Sequence, residues 1–284
     1  MKQLILSLII IFFTFSQLSY ADSIKAKLDT TYSLIPFENN AFKVGEELNF
    51  VVKWKKSFLS VTAGYAQMRV LGIKKIHNRP CYFIQVTARS TSFIENFYEV
   101  KDTIETYIDM EYGFSWRFKK ITREGSYFRD LYIDYDHLNN KAIVEEIRYK
   151  DETLSTKKYH KNYNVEIMPY TQDILSSFYV LRAKRIEAGY PFKIQNNSTK
   201  KNYELNIFVN PVEDEDVEAG EFRAYKLSPQ IEGESIFNQD GGMQVWVTDD
   251  SSHMPLRMKS AVKIGAVNVE LESYKGVHTK YAKR

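Results

Sequence analysis

Residues 42–54 read FKVGEELNFVVKW, and within them Val44, Leu48, Phe50, Val52 and Trp54 fall on one side of an extended chain. Apolar residues at every second position mark a strand with one buried face, because successive side chains of an extended backbone point to opposite sides. The same period returns at about 64–71, 81–90, 102–109, 115–123, 127–136, 141–150 and 153–160. After a gap it returns again at about 190–196, 200–209, 221–228, 243–248, 255–263 and 266–275. The 20 Tyr and 18 Phe, both strand formers, recur in most of these runs. Turn chemistry separates them: HNRP at 77–80, REGS at 123–126, HLNNK at 137–141 and YKDE at 149–152. Lys55 with Lys56, Lys74 with Lys75 and Lys157 with Lys158 sit at strand ends, where charge protects an exposed edge.

One segment changes period. In PYTQDILSSFYVLRAKRIEAGYP, residues 169–191, apolar side chains recur at helical spacing, which predicts a helix over about 173–187. Thr171 or Asp173 can cap its start and Gly189 can end it. Its apolar face carries Ile174, Leu175, Phe178, Leu181 and Ile186, and its other side Gln172, Ser176, Arg182 and Lys184. A face that wide is buried against a sheet. The fold class is therefore all-β and mainly antiparallel: a curved sheet forming a closed or open β-barrel, with one central connecting helix. The domain runs over 42–276, with a first half at about 42–162 and a second at about 190–276. An irregular, loosely packed lead-in at 22–41 precedes it, and a tail at 277–284 follows.

The halves echo each other at a shift of about 140 residues. Asp109 falls on Asp249, Arg117 on Arg257, Lys119 on Lys259, Gly125 on Gly265 and Leu131 on Leu271 without a gap. Shared strand order and matched hairpin glycines read as a duplication. The echo bears on Asp249, Asp250 and His253, the stretch that comes nearest to a catalytic or metal signature. If Asp249 repeats Asp109, it marks a corner between strands, where Asp and Ser bond nearby backbone N–H groups and Pro255 starts the next strand. His253 has Gly113 as its counterpart, so it has no repeated partner. As part of an exposed corner, His253 and Asp250 are dispensable, and truncating His253 should shift stability by about 0.5 kcal/mol or less.

The N-terminus gives the compartment. Lys2, an apolar run at 4–15 and SQLSYAD at 16–22 have the layout of a secretory signal peptide over 1–21, cut after Ala21. The apolar run is shorter than the roughly 20 residues a membrane span needs. No Cys lies at the junction, so the chain is not read as a lipoprotein. With 39 Lys+Arg against 36 Asp+Glu, the charge is too even to argue for nucleic acid. The single cysteine, Cys81, rules out an internal disulfide and reads as a small buried hydrophobe. These features fit a periplasmic protein held together by its core.

Little in the chain carries chemistry. His77, His137, His160, His253 and His278 lie singly, and no pair has metal-ligand spacing. Asp102, Glu105 and Asp109 invite a paired-carboxylate reading, but on a strand they read first as charges on a solvent face. PVEDEDVEAGE at 211–221 lacks the ligand spacing of an EF-hand and reads as a solvated acidic loop. The sequence assigns no catalytic residue, no metal and no cofactor.

The blocks FKVGEELNFVVKW, AGYAQMRV, FYEVKDTIETYID, TQDILSSFYVLR and VWVTDDSSHMPLRMKSAVKIGAVNVELESY resemble, in the same order, those of the domain-of-unknown-function 3108 family over about residues 42–276. That resemblance implies an exported, β-rich bacterial protein and brings no activity with it. Three functions are weighed. The first is a non-enzymatic periplasmic protein binding an apolar or amphipathic ligand, such as a lipid, an acyl chain or a lipoprotein segment. Ile174, Phe178 and Leu181 are then the helix face to test. The second is a scaffold for another envelope protein. The third is a glycan-acting enzyme using Glu105, Asp109 or Asp249 with His253.

Overall fold

The computed structural model describes residues 35–231, 242–261 and 265–277. The expected leader at 1–21, the lead-in as far as 34, His278 and the rest of the tail lie outside the described residues. Eight strands come first: β1 (Glu47–Lys56), β2 (Leu59–Ile76), β3 (Arg79–Ser90), β4 (Lys101–Asp109), β5 (Ser115–Glu124), β6 (Tyr127–Asp136), β7 (Lys141–Tyr149) and β8 (Lys157–Glu166). Six follow: β9 (Phe192–Asn197), β10 (Asn202–Val217), β11 (Gly220–Ile231), β12 (Gln244–Thr248), β13 (Pro255–Ala261) and β14 (Ala266–Lys275). A short helix α1 (Ser92–Glu95) joins β3 to β4, and a longer helix α2 (Ile174–Ala183) joins the two sets.

All fourteen strands form one antiparallel sheet in the order β8 to β1, then β14 to β9. Every neighbour is a hairpin partner except β1 and β14, whose pairing from Glu47↔Lys275 to Lys55↔Ala266 joins the start of the domain to its end. Extra residues break the register at Ala63 and Leu71 of β2, Trp116 of β5, Lys158 of β8, Leu256 of β13 and Glu272 of β14, and the β10–β11 pairing is irregular between Val209 and Val212; such bulges bend the strand that carries them. The sheet curls around α2, which rests on β4 and β9. The curl stops short of closure. The edges β8 and β9 are not paired as a ladder, and the chain leading into α2 fills part of the gap. There Gln172 N–H donates to Gln195 O, and Asn197 N–H donates to Gln172 O. Nearby, Asn202 Nδ2 donates to Glu166 O at 2.7 Å.

Two interior clusters meet at α2. One gathers Ile84, Ile108, Ile133 and Val144 with Leu175 and Tyr179; the other gathers Ile194, Ile207, Leu227 and Val247 with Leu181. The helix is thus buried on more than its apolar face. Gln172, Asp173, Ser176, Ser177 and Arg182 are all buried, whereas Ile174 is exposed. This corrects the expectation that Gln172, Ser176 and Arg182 lie on the side away from the core. Asp173 is the N-cap, with Oδ1 accepting from Leu175 N and Ser176 N at 2.8 Å each. Its Oδ2 accepts from Thr106 Oγ1 at 2.6 Å and Ser115 Oγ at 2.5 Å. Burial pushes its carboxyl above the usual value, against these four donors.

At the other end the helix stops at Ala183, short of the expected 187, because Lys184 turns extended at φ −79° and ψ 152°. Ile186 can then reach the second cluster. Arg182 is fully buried and clamps Glu46, Nη1 to Oε1 at 2.7 Å and Nη2 to Oε2 at 2.8 Å. Its Nε donates to Ser252 O at 3.2 Å. Burial works against the guanidinium charge, and the Glu46 carboxylate outweighs it, holding the group above its ordinary value.

The described part of the lead-in is largely exposed, tied down by the buried Ala41 and by Phe37 N–H, which donates to Glu111 O at 2.7 Å. One further expectation changes. The acidic run at 211–221 is no loop; β10 and β11 stay paired from Val212↔Tyr225 to Val217↔Gly220. Its carboxylates find partners there, Glu215 with Arg257 at 2.8 Å and Glu213 with Trp246 Nε1 at 2.6 Å.

Removing one member of a fully buried ion pair leaves a charge without water or partner, which costs about 3–5 kcal/mol. Arg182→Met should lower stability by that amount in urea denaturation. Arg182→Met combined with Glu46→Leu should recover most of it.

Candidate functional site: an apolar cavity beneath the helix

Between α2 and the sheet lies a cavity of about 360 Å³, within the roughly 300–1,000 Å³ typical of small-ligand sites. Its walls come from both halves. Met68, Val86 and Ile104 project from β2, β3 and β4, and Leu205, Leu227 and Val245 from β10, β11 and β12. Alternation along each strand sends these side chains to the concave face. The helix supplies the lid with Ile174, Leu175, Phe178 and Leu181, so the three residues singled out from sequence as the helix face to test all line it. Leu181 is buried, Phe178 half-buried and Ile174 more than half exposed, a gradient running from the floor to the mouth.

Behind the apolar lining, at the end of α2, lies a polar cluster closed on itself. It consists of Arg182, Glu46 and the β12–β13 corner, and the corner is held by its own groups. Asp250 Oδ1 accepts from Thr248 Oγ1 at 2.9 Å, Ser252 N at 2.9 Å and Ser252 Oγ at 2.6 Å. His253 sits at φ +38°, the left-handed conformation that Gly113 adopts at φ +76° in the β4–β5 corner. Its ring is buried, and Nδ1–H donates to Arg182 O at 2.6 Å. Asp249 points elsewhere, 3.4 Å from Arg223 Nε. The three residues do not converge on a common point, and the corner is structural. It is not the exposed corner expected, however: His253 is buried and bonded to the end of α2.

The carboxylates of β4 are likewise dispersed. Asp102 accepts from Arg123 N at 2.9 Å, and Glu105 from Gln85 Nε2 at 3.0 Å. Asp109, read as a solvent-face charge, is fully buried. It takes Arg79 Nε at 2.5 Å and Nη2 at 2.8 Å, Trp116 Nε1 at 2.7 Å and the backbone N–H groups of Glu111 and Tyr112 at 2.9 Å. It organises a second closed corner.

Cys81 is buried beside it, and burial, with the Asp109 charge, pushes its thiol up to about 12, far from a reactive thiolate. The His77 ring lies tilted against Trp116, centroids 5.2 Å apart, and His160 Nε2 lies 2.8 Å from Glu145 Oε1. His137 is enclosed by Phe114, Trp116 and Tyr135, with Nε2–H donating to Ser115 O at 2.7 Å. Among the described residues, no three His, Cys, Asp or Glu side chains gather as a metal site, and no helix is long and apolar enough to cross a membrane.

The family model of DUF3108, a protein family of unknown function, matches residues 49–272. The chain belongs to that family. No curated protein matches it in sequence. Among solved structures it is similar to the crystal structure of a β-barrel-like protein, from the domain of unknown function DUF1849, of Brucella abortus. That likeness has 11% identity and a TM-score of 0.50, and covers 84% of this chain and 100% of the other. At this identity the likeness is one of fold, and it agrees with the curled sheet seen here. A weaker likeness, with a TM-score of 0.36 and 8% identity over 85% of this chain and 100% of the other, is to an exported protein with a YmcC-like fold from Bacteroides fragilis.

Burial pushes the His137 imidazole down to about 4 and also lowers that of His253. A depressed histidine makes the unfolded chain bind more protons, so its contribution is present above the unfolded value near 6.5 and is lost as pH falls towards about 4. For His137 alone the loss is roughly 3 kcal/mol. Urea melts of the wild type and His137→Gln should converge as pH drops through that window. Separately, His253→Ala strips the Arg182 carbonyl of its donor in a buried site and should cost about 1–3 kcal/mol at neutral pH.

Proposed function

We propose that this protein is an exported, periplasmic, non-enzymatic binder of an apolar or amphipathic ligand, a lipid, acyl chain or lipoprotein segment, held in the cavity under α2. The observation that carries this is a preformed apolar space, walled by strands of both halves and lidded by a helix anchored at its two ends. The leader-like layout of residues 1–21 supports export. The dispersal of Asp102, Glu105, Asp109, Asp249 and His253, each engaged by its own neighbours, weighs against the glycan-acting alternative.

Duplication is part of the same reading. Shifted by 140 residues, the ends of β1, β2, β3, β4 and β6 fall within one residue of the ends of β9, β10, β11, β12 and β14. On this reading β7 and β8 are additions to the first half. The pairing of β1 with β14 would have β9 with β6 as its counterpart. The added strands and α2 stand where that pair would close the barrel.

The test is binding of a fluorescent fatty acid to protein freed of lipid. Phe178→Ala removes a lid side chain that is already half-open, so it should cost less than the roughly 3–5 kcal/mol of a tightly packed Phe. Affinity for the probe should fall about tenfold. Leu205→Trp should fill the cavity and abolish binding while the protein stays folded. Unchanged probe binding in both variants would sink the reading, and native mass spectrometry of protein from its own periplasm should show the bound ligand directly.

A further inference from the structure

Because consecutive strands run in opposite directions, the connections fall at two ends, and the ends differ. One is sealed by the Arg182–Glu46 pair and the Asp109 corner. The other carries the β1–β2 tip at Ser57 and Phe58, α1, the β5–β6 tip at Gly125 and Ser126, and the end of β11. The cavity reaches this second end at Ile231 and Met243. Here the protein exposes apolar side chains that it buries elsewhere. Phe58 is wholly exposed at its hairpin tip, Phe97 is 78% exposed and Phe93 64%. Phe93 and Phe97 pack edge-to-face on each other at 5.7 Å instead of into the core. Leu59 and Tyr98 adjoin them, both about half exposed.

Running down the outer face from the same β1–β2 tip is a groove of about 590 Å³ lined by Lys55, Lys56, Lys226, Arg257 and Lys259. Glu270 neutralises part of it, 3.5 Å from Lys55, and Glu215 holds Arg257. Among the described residues no carboxylate pairs with Lys56, Lys226 or Lys259. Lys226 lies instead over the Trp246 ring at 5.4 Å. At α1, Glu95 is the opposing charge, while Glu99 is tied to Lys101.

We propose that this end docks on an anionic lipid surface. Phe58 and the α1 aromatics enter the headgroup–acyl boundary, and the lysine groove takes lipid phosphates. Exposed aromatics beside unpaired lysines match what such a surface offers, apolar depth below a negatively charged layer. The geometry then sets the cavity mouth against the bilayer, so the proposal rests on the ligand-binding reading for its purpose and names the source of the ligand.

Co-sedimentation of the purified protein with phosphatidylcholine vesicles, with and without phosphatidylglycerol, tests it. Binding should require phosphatidylglycerol and weaken with salt. Phe58→Asp, and Lys56→Glu combined with Lys259→Glu, should each lower partitioning at least about tenfold, with thermal melting unchanged because these side chains are not in the core. Soluble glycerol phosphate should not compete. Equal binding to both vesicle types, wild-type partitioning in the variants, or saturation of the groove by glycerol phosphate alone would overturn the proposal. The fatty-acid probe separates the two readings. Probe binding without vesicle binding fails the docking surface alone, and vesicle binding without probe binding fails the cavity alone.

Discussion

The Arg182–Glu46 pair is the constraint on which the arrangement depends. Arg182 sits on the last turn of α2, Glu46 immediately before β1, and the carbonyls of Ala41 and Ser252 accept further hydrogen bonds from its guanidinium. Two stretches far apart in sequence are thereby fixed to one guanidinium: the run from Ala41 to Glu46 that leads into the first strand, and the β12–β13 corner. The His253 ring adds a bond back to the Arg182 carbonyl, so the helix terminus is held through side chain and backbone alike. A buried charge tolerates few geometries, because each donor left unpaired away from water carries a desolvation cost. The pair therefore specifies position as much as it contributes stability.

The opposite terminus is fixed by different chemistry to similar effect. Asp173 caps α2 and takes Thr106 and Ser115 from the sheet. Polar anchors at the two ends of α2 leave its middle free of directional bonds, and there Phe178 and Leu181 face the cavity. A helix docked by hydrophobic packing alone would settle onto the sheet until the gap closed, as interiors pack densely. Held at both termini, it spans the gap instead. The cavity follows from where the polar groups are.

This division also explains what could be read in advance. Strand alternation, the N-cap at Asp173 and the change of period at 169–191 are local, and they were legible. Arg182 was placed away from the core because helical spacing reports only apolar faces, and its partner lies 136 residues away. Asp109 and His253 were misplaced for the same reason. A lone polar residue at a corner looks identical whether water or a buried Arg79 or Arg182 carbonyl receives it. The run PVEDEDV looked like a loop because its charges are satisfied across strands, by Arg257 and Trp246, where no pattern along one strand can show it. Phe58, Phe93 and Phe97 left no distinct signal either, since an exposed aromatic reads as one more strand former.

The open seam between β8 and β9 has to persist in water, and the two edges persist in different ways. Strand edges invite pairing with other chains unless charge or cover prevents it. On β8 the defence is charge: Lys157, Lys158, His160 and Lys161 lie along a largely exposed strand. On β9 it is cover, because Gln172 already bonds to Gln195 and Asn197 through its backbone. Across the seam, the join is made by a side-chain bond from Asn202 to Glu166 and by that short bridge, not by a ladder. A closed barrel could change its girth only by breaking a full row of backbone hydrogen bonds. Here a change in girth need disturb only these few bonds, while the ladders and both helix anchors stay intact. The unclosed wall therefore leaves the width of the interior less constrained than a closed barrel would.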